Sequence, residues 1–123
     1  MIVSRIIPGK DLKKSIEYLM NENNLKSGII VSIVGNIDNA FLRMSNDDKK
    51  VFKGLFDIVS AEGTVSYDGI HVHIAISDAE GVVYGGHLLE GCKVYTTAEI
   101  SIIESQKILK RIFDPKTGYK ELV

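Results

Sequence analysis

The chain is 123 residues long, with 45% hydrophobic residues, 25% charged residues and a formal net charge of −1. This length predicts one domain, residues 1–123, with a core that needs no disulfides, and a single cysteine fits a reducing cytoplasm. The balanced charge argues against binding to nucleic acids or anionic membranes. No signal peptide is recognisable, and no apolar run is long enough to span a membrane.

The first half of the chain predicts three strands and one helix. Residues 2–7 alternate as an opening strand. The helix is expected to begin behind Asp11, a suitable N-cap, and to end within residues 21–24. Apolar residues recur there at helical spacing, at Leu12, Ile16, Leu19 and Met20. Two further strands are expected at residues 29–34 and 40–44, and a polar turn follows them.

The second half of the chain predicts strands only. Residues 51–66 suggest two short strands broken near Glu62 and Gly63. A histidine-bearing hairpin follows, and then a long strand at residues 93–104 rich in β-branched residues. Residues 108–113 and 119–123 form a closing pair. One main helix followed by many antiparallel strands predicts a compact α+β domain that is mostly antiparallel β-sheet.

All three histidines lie in the predicted hairpin. His71 and His73 are two residues apart in a strand, so their side chains leave one face. The other face is an apolar stripe of Ile70, Val72, Ile74 and Ile76. A three-residue loop at 79–81, with a left-handed glycine in its last position, sets His73 opposite His87. In that register the three imidazoles form a compact triangle.

Three imidazoles and an open position are the ligand arrangement of catalytic zinc sites. A bulge at Gly85-Gly86 would instead turn His87 to the other face, and three solvated or packed histidines are the alternative interpretation. Glu99 and Glu62 are candidates for an accessory ligand or general base, although an exposed position is favoured for a carboxylate in a strand. Cys92 is a further candidate ligand, but a buried free cysteine is usually inert.

Several segments resemble the PPC domain, which plants and prokaryotes share. The central segments are residues 71–81, 85–89 and 91–99, which contain His-Val-His, Gly-Gly-His-Leu-Leu and Gly-Cys-Lys-Val-Tyr-Thr-Thr-Ala-Glu. Residues 54–64 are similar to the family's Gly-x-Phe-Glu-Ile-x-Ser-x-x-Gly stretch, with Asp57 in place of Glu. The closing Gly-Tyr-Lys-Glu-Leu of residues 118–122 also fits, so the resemblance covers essentially the whole chain.

The resemblance implies a homotrimer and, in prokaryotic members, a bound metal, which we expect to be zinc. The implied ligands are His71, His73 and His87, which are the same three residues that the predicted hairpin register places together. Plant members carry DNA-binding AT-hooks, and no such element occurs here. Two hypotheses therefore stand. One is a metal-dependent enzyme or small-molecule-binding protein, and the other is an interaction module for DNA or a protein partner.

Overall fold

A computed structural model describes all 123 residues as eight strands and one helix. The elements are β1 (Ile2–Ile6), α1 (Leu12–Glu22), β2 (Ser27–Arg43), β3 (Lys49–Ser66), β4 (Gly69–Ser77), β5 (Val83–Leu88), β6 (Lys93–Glu104), β7 (Arg111–Asp114) and β8 (Tyr119–Leu122). The predicted α+β class, mostly antiparallel strands with a single helix, is confirmed. That helix is too short and too polar to cross a membrane.

Six of the strands form one antiparallel sheet in the order β1-β6-β2-β3-β4-β5. The end of β2 also pairs with β5, through Leu42 opposite Leu88 and Arg43 opposite His87. Strands β2 to β5 therefore close into a ring, while β1 and β6 extend the sheet along the other part of β2. This closure brings residues far apart in sequence to the histidine hairpin.

The prediction of separate strands at residues 29–34 and 40–44 is wrong, because β2 runs through both. Gly35 and Asn39, which resemble turn residues, lie at irregularities in its register instead. A Cβ on Gly35 would lie 2.0 Å from the Thr97 carbonyl oxygen, so this glycine permits β6 to approach closely. Asn39 has φ of 63°, and its side chain accepts a hydrogen bond from the Gly54 N–H at 2.9 Å.

The predicted break near Glu62 and Gly63 is also wrong, since β3 is one strand of 18 residues. Its ladder with β4 runs without interruption past Gly63, which lies opposite Val72. A Cβ at Gly63 would lie 2.1 Å from the His71 carbonyl oxygen. The glycine therefore lets two strands pack closely where the sequence pattern suggested that one strand ends.

The hydrophobic core lies between the helix and the inner face of the sheet. The helix contributes Leu12, Ile16 and Met20, and β4 contributes Val72, Ile74 and Ile76, all buried. The Asp11 carboxylate caps the helix, accepting from the Lys14 N–H at 3.0 Å, and also accepts from the Gly91 N–H at 2.7 Å. This cap fixes the helix to the loop before β6. Because the buried residues of β4 alternate with exposed ones, its histidines lie on the outer face of the sheet.

The predicted closing hairpin is confirmed as β7 and β8, with Asp114 opposite Tyr119. It forms a separate two-stranded sheet that is joined to the main sheet by polar contacts. The Arg111 N–H donates to Asp68 at 3.0 Å, and the Tyr119 hydroxyl donates to Asp47 at 2.6 Å. The hairpin thereby lies beside the histidine-bearing strands.

Candidate metal centre

The histidine hairpin has the predicted loop and register. Gly81 has φ of 81°, and its N–H donates to the Asp78 carbonyl at 3.0 Å. His73 lies opposite His87, and the ladder is regular through Gly85-Gly86. The alternative of a bulge there does not occur. The second of these glycines lets β5 approach β2, because a Cβ on it would lie 2.8 Å from the Arg43 carbonyl oxygen.

The three imidazoles converge on the outer face of the sheet. Ring centroids are 4.9 Å apart for His71 and His73, 5.0 Å for His71 and His87, and 5.7 Å for His73 and His87. One ligand nitrogen from each ring lies within 4.8 Å of the others. The Nε2 atoms of His71 and His73 are 3.1 Å apart.

These distances suit a tetrahedral metal site. Zinc–nitrogen bonds of about 2.0–2.1 Å place two nitrogen ligands roughly 3.3 Å apart. His71 and His73 are already close to that separation. His87 completes the set after a small side-chain rotation, since even the widest separation in the group is 4.8 Å. The imidazole donors therefore fit zinc and several other transition metals.

The surroundings favour neutral imidazoles, the form that binds metals. Burial, reinforced by the positive charge of Arg43, lowers the pKa of His87 to about 4. Burial also lowers the pKa of His71, with smaller effects from His73 and Arg111. Both rings are consequently uncharged at neutral pH, and no proton on either ring has to be lost to the solvent before a metal binds.

The two candidate carboxylates lie in different places. Glu62 is opposite His73 in the ladder between β3 and β4. A shallow cavity of about 230 Å³ is lined by Glu62, Gly63, Thr64, His71 and His73. Glu99 is exposed on β6, opposite Arg5 and Val34, and two strands of the sheet separate β6 from β4. One subunit therefore places Glu62, and not Glu99, beside the histidines.

Two arginines near the cluster were missed by sequence reasoning. Arg43, at the end of β2, donates from Nη2 to His87 Nδ1 at 3.3 Å, and its guanidinium lies 4.5 Å from the ring centroid of Tyr119. Arg111, in β7, donates from Nη2 to the Thr64 hydroxyl at 2.7 Å. Neither has a local sequence signal, because the β2–β5 closure and the packing of the C-terminal hairpin bring them here.

Cys92 belongs to the core and not to this centre. It is fully buried, and its sulfur accepts a hydrogen bond from the Phe41 N–H at 3.3 Å. Burial raises the pKa of the thiol to about 11. The residue is therefore an inert packing group, which is the interpretation that its sequence favoured.

A comparison with protein-family models identifies the family of this chain. The model of the Plants and Prokaryotes Conserved (PCC) domain matches residues 1–106. The chain belongs to this family. The match includes all three histidines and Arg43, whereas the β7–β8 hairpin of this PCC-domain protein lies beyond it.

Relatives by sequence include the bifunctional protein GlmU from two strains of Synechococcus. Each is 38% identical over 120 residues, which is 96% of this chain and 19% of GlmU. The chain thus spans about a fifth of the length of these curated relatives. The similarity is therefore to one segment of a much longer protein.

Solved structures share the whole fold of this PCC-domain protein. A hypothetical protein from Salmonella enterica has a TM-score of 0.93 and 31% identity, covering 99% of this chain and 90% of that one. A metal-containing protein from Archaeoglobus fulgidus has a TM-score of 0.85 and 27% identity, covering 99% and 91%. A protein from Bacteroides thetaiotaomicron, proposed to bind DNA, has a TM-score of 0.89, 22% identity and coverage of 98% and 89%.

Proposed function

We propose that this PCC-domain protein is a homotrimer that binds a transition metal, zinc in the first instance, through His71, His73 and His87. The observation that carries the proposal is the convergence of three imidazole nitrogens within 4.8 Å, two of them 3.1 Å apart. The similarity to a metal-containing protein at 27% identity supports it. The proposed use of the site is small-molecule binding or hydrolytic chemistry.

Each proposed role follows from the position of the side chain. A zinc ion held by three protein ligands supplies Lewis acidity at a position open to a small molecule. Glu62 lines the same cavity as His71 and His73, so it is our candidate for accepting a proton there. Glu99 stays a prediction, and it would have to reach the site from another subunit because its own strand lies elsewhere in the sheet.

Metal content tests the proposal directly. We expect about one transition metal per subunit in untagged wild-type protein, measured by plasma mass spectrometry. The His73→Ala variant should lack stoichiometric metal, because the two remaining imidazoles bind a transition metal too weakly to retain it. Ser77→Ala is a matched control, since Ser77 lies on the same strand but outside the cluster. Full metal retention by His73→Ala would contradict the ligand set.

The trimer is supported by an apolar outer face on β2 and β6. Ile29 lies opposite Ile103, and each is about half exposed, as are Val31 and Val34. A contiguous exposed face of this kind is covered by assembly in many proteins. Sedimentation equilibrium should give a mass three times the subunit mass of 13.6 kDa. Val31→Asp should lower the measured mass, because it places a charge on this apolar face. Val82→Asp is the control, because Val82 is an exposed valine of the hairpin loop and not of β2 or β6. A monomeric wild-type protein would refute the assembly.

An interaction module without catalytic activity is the second candidate. The same apolar face would suit a protein partner, and the Bacteroides protein with this fold is proposed to bind DNA. The net charge of −1 weakens the DNA version, because DNA affinity comes chiefly from cationic contacts with phosphates. A gel shift at low salt tests DNA binding, and lack of retardation would refute it.

For either function we place the protein in the cytoplasm, where its single buried thiol stays reduced.

A further inference from the structure

The hydrogen bond between Arg43 and His87 fixes the tautomer of the histidine. The two residues are register partners on β2 and β5, and Arg43 Nη2 lies 3.3 Å from His87 Nδ1. A guanidinium can only donate hydrogen bonds, so Nδ1 must accept. A neutral imidazole has one acceptor nitrogen, and therefore Nε2 of His87 carries the hydrogen in this arrangement.

This hydrogen bond is incompatible with metal binding by His87. A metal takes the lone pair of a ring nitrogen. If Nδ1 is the ligand, the metal and Arg43 compete for the same lone pair. If Nε2 is the ligand, the ring hydrogen moves to Nδ1. The Nδ1–H group and the Arg43 N–H group are then two donors that face each other without an acceptor. On either route Arg43 has to leave His87 for the third ligand to bind.

We propose that Arg43 competes with the metal for His87 and, once displaced, binds an anionic ligand of the metal centre, a carboxylate or other oxyanion. The inference rests on the proposed metal function and adds the chemical class of the ligand. A guanidinium pairs with oxyanions through two parallel N–H groups. The displaced side chain would thus replace one acceptor, a ring nitrogen, by two oxygens of the ligand.

Contacts at the base of the guanidinium keep Arg43 beside the cluster after it leaves His87. The group lies 4.5 Å from the centroid of the Tyr119 ring, whose hydroxyl donates to Asp47 at 2.6 Å. Asp47 also lies 3.9 Å from Arg43 Nε, and only 24% of the arginine side chain is exposed. Rotation about the Cδ–Nε bond would turn the planar guanidinium as a unit, moving Nη2 off His87 while Nε stays near Asp47.

The charges around the cluster favour an anion as the external ligand. Imidazole binds a metal as a neutral ring, so three histidine ligands would leave the charge of a bound metal without an offset. Arg111 adds a second guanidinium on the side of His71, where its Nε atom is buried without a hydrogen-bond acceptor. Glu62 in the cavity, Glu121 near His71 and Asp47 beside Arg43 are acidic groups nearby, and all three lie outside the ligand set.

Cobalt titrations followed by visible absorption test this competition without an activity assay. The proteins are wild type, Arg43→Met and Arg111→Met, each in sodium perchlorate and in sodium sulfate at matched ionic strength. Arg111→Met is the matched control, because it removes a positive charge near the cluster without freeing a ligand nitrogen. Arg43→Ala replaces Arg43→Met if circular dichroism shows that the latter folds poorly.

In perchlorate, Arg43→Met should bind cobalt about tenfold more tightly than Arg111→Met, equivalent to about 1.4 kcal/mol. Sulfate should tighten cobalt binding to the wild type and to Arg111→Met, but not to Arg43→Met. Equal cobalt affinities in the two variants would overturn the competition, and sulfate tightening in Arg43→Met would overturn the anion site. Absence of cobalt binding in all proteins would overturn the metal function itself, together with this inference.

Discussion

The low pKa of His87 predicts that the metal-free protein loses stability in mildly acidic solution. In the folded state burial lowers this pKa to about 4, against 6.5 for an ordinary histidine. Between these values the unfolded chain binds a proton that the folded protein does not. Protonation therefore favours unfolding, so the stabilisation is complete above about pH 6.5 and is lost as the pH falls toward 4.

The size of this effect follows from the two pKa values. Linkage gives a loss of about 1.8 kcal/mol between pH 7 and pH 5 for a fully desolvated group. His87 is only half-buried, and its exposed part is screened by water. The expected loss is therefore about 1 kcal/mol. His71 has a pKa shifted in the same direction and adds to the trend.

Urea unfolding at the two pH values measures the loss, with a chelator present and protein concentration held constant. The His87→Gln variant removes the titrating ring, so its free energy of unfolding should fall by about 1 kcal/mol less over the same interval. The difference between the two proteins isolates His87 from all other titrating groups. If wild type and His87→Gln lose the same amount, burial of His87 does not control its protonation.

Three further predictions concern the close strand approach at Gly63, the helix cap at Asp11 and the reactivity of the Cys92 thiol. Gly63→Ala should reduce the free energy of unfolding by about 2–3 kcal/mol in urea titrations, because its Cβ would meet the His71 carbonyl oxygen; an unchanged midpoint would contradict this close approach. Asp11→Ala should cost about 1–2 kcal/mol in the same assay, since it removes the helix cap and the Gly91 contact, and Asp11→Asn should recover much of the loss. The Cys92 thiol should react with iodoacetamide far more slowly in the native protein than in urea, because it is buried and its pKa is raised to about 11; equal rates would show that it is accessible.

Local features were predictable where a short stretch of chain decides them. The histidine hairpin follows from a left-handed Gly81 and the alternation of the flanking strand, which together set the register of His73 and His87. The helix behind Asp11 follows from its cap and its apolar spacing. These predictions are confirmed because each depends on hydrogen bonds within a few residues of chain.

Glycines misled the sequence interpretation where their role depends on a distant strand. Gly35 and Gly63 suggested strand breaks, yet both lie inside long strands. At each position the absence of a side chain allows a neighbouring backbone to approach closely. A single sequence does not distinguish a glycine that ends a strand from one that admits a partner, because the partner is identified only by the sheet order.

The α+β class and the triangle of His71, His73 and His87 were both predictable from the sequence. The triangle was predictable because a period of two residues and one tight turn fix which side chains share a face. The surroundings of that triangle depend on how distant strands pair. The return of β5 to β2 places Arg43 on His87, and the β3–β4 ladder places Glu62 in the cavity while Glu99 lies on β6. These neighbours depend on pairings between distant strands with irregular registers, and such pairings are settled by the packing of the whole core.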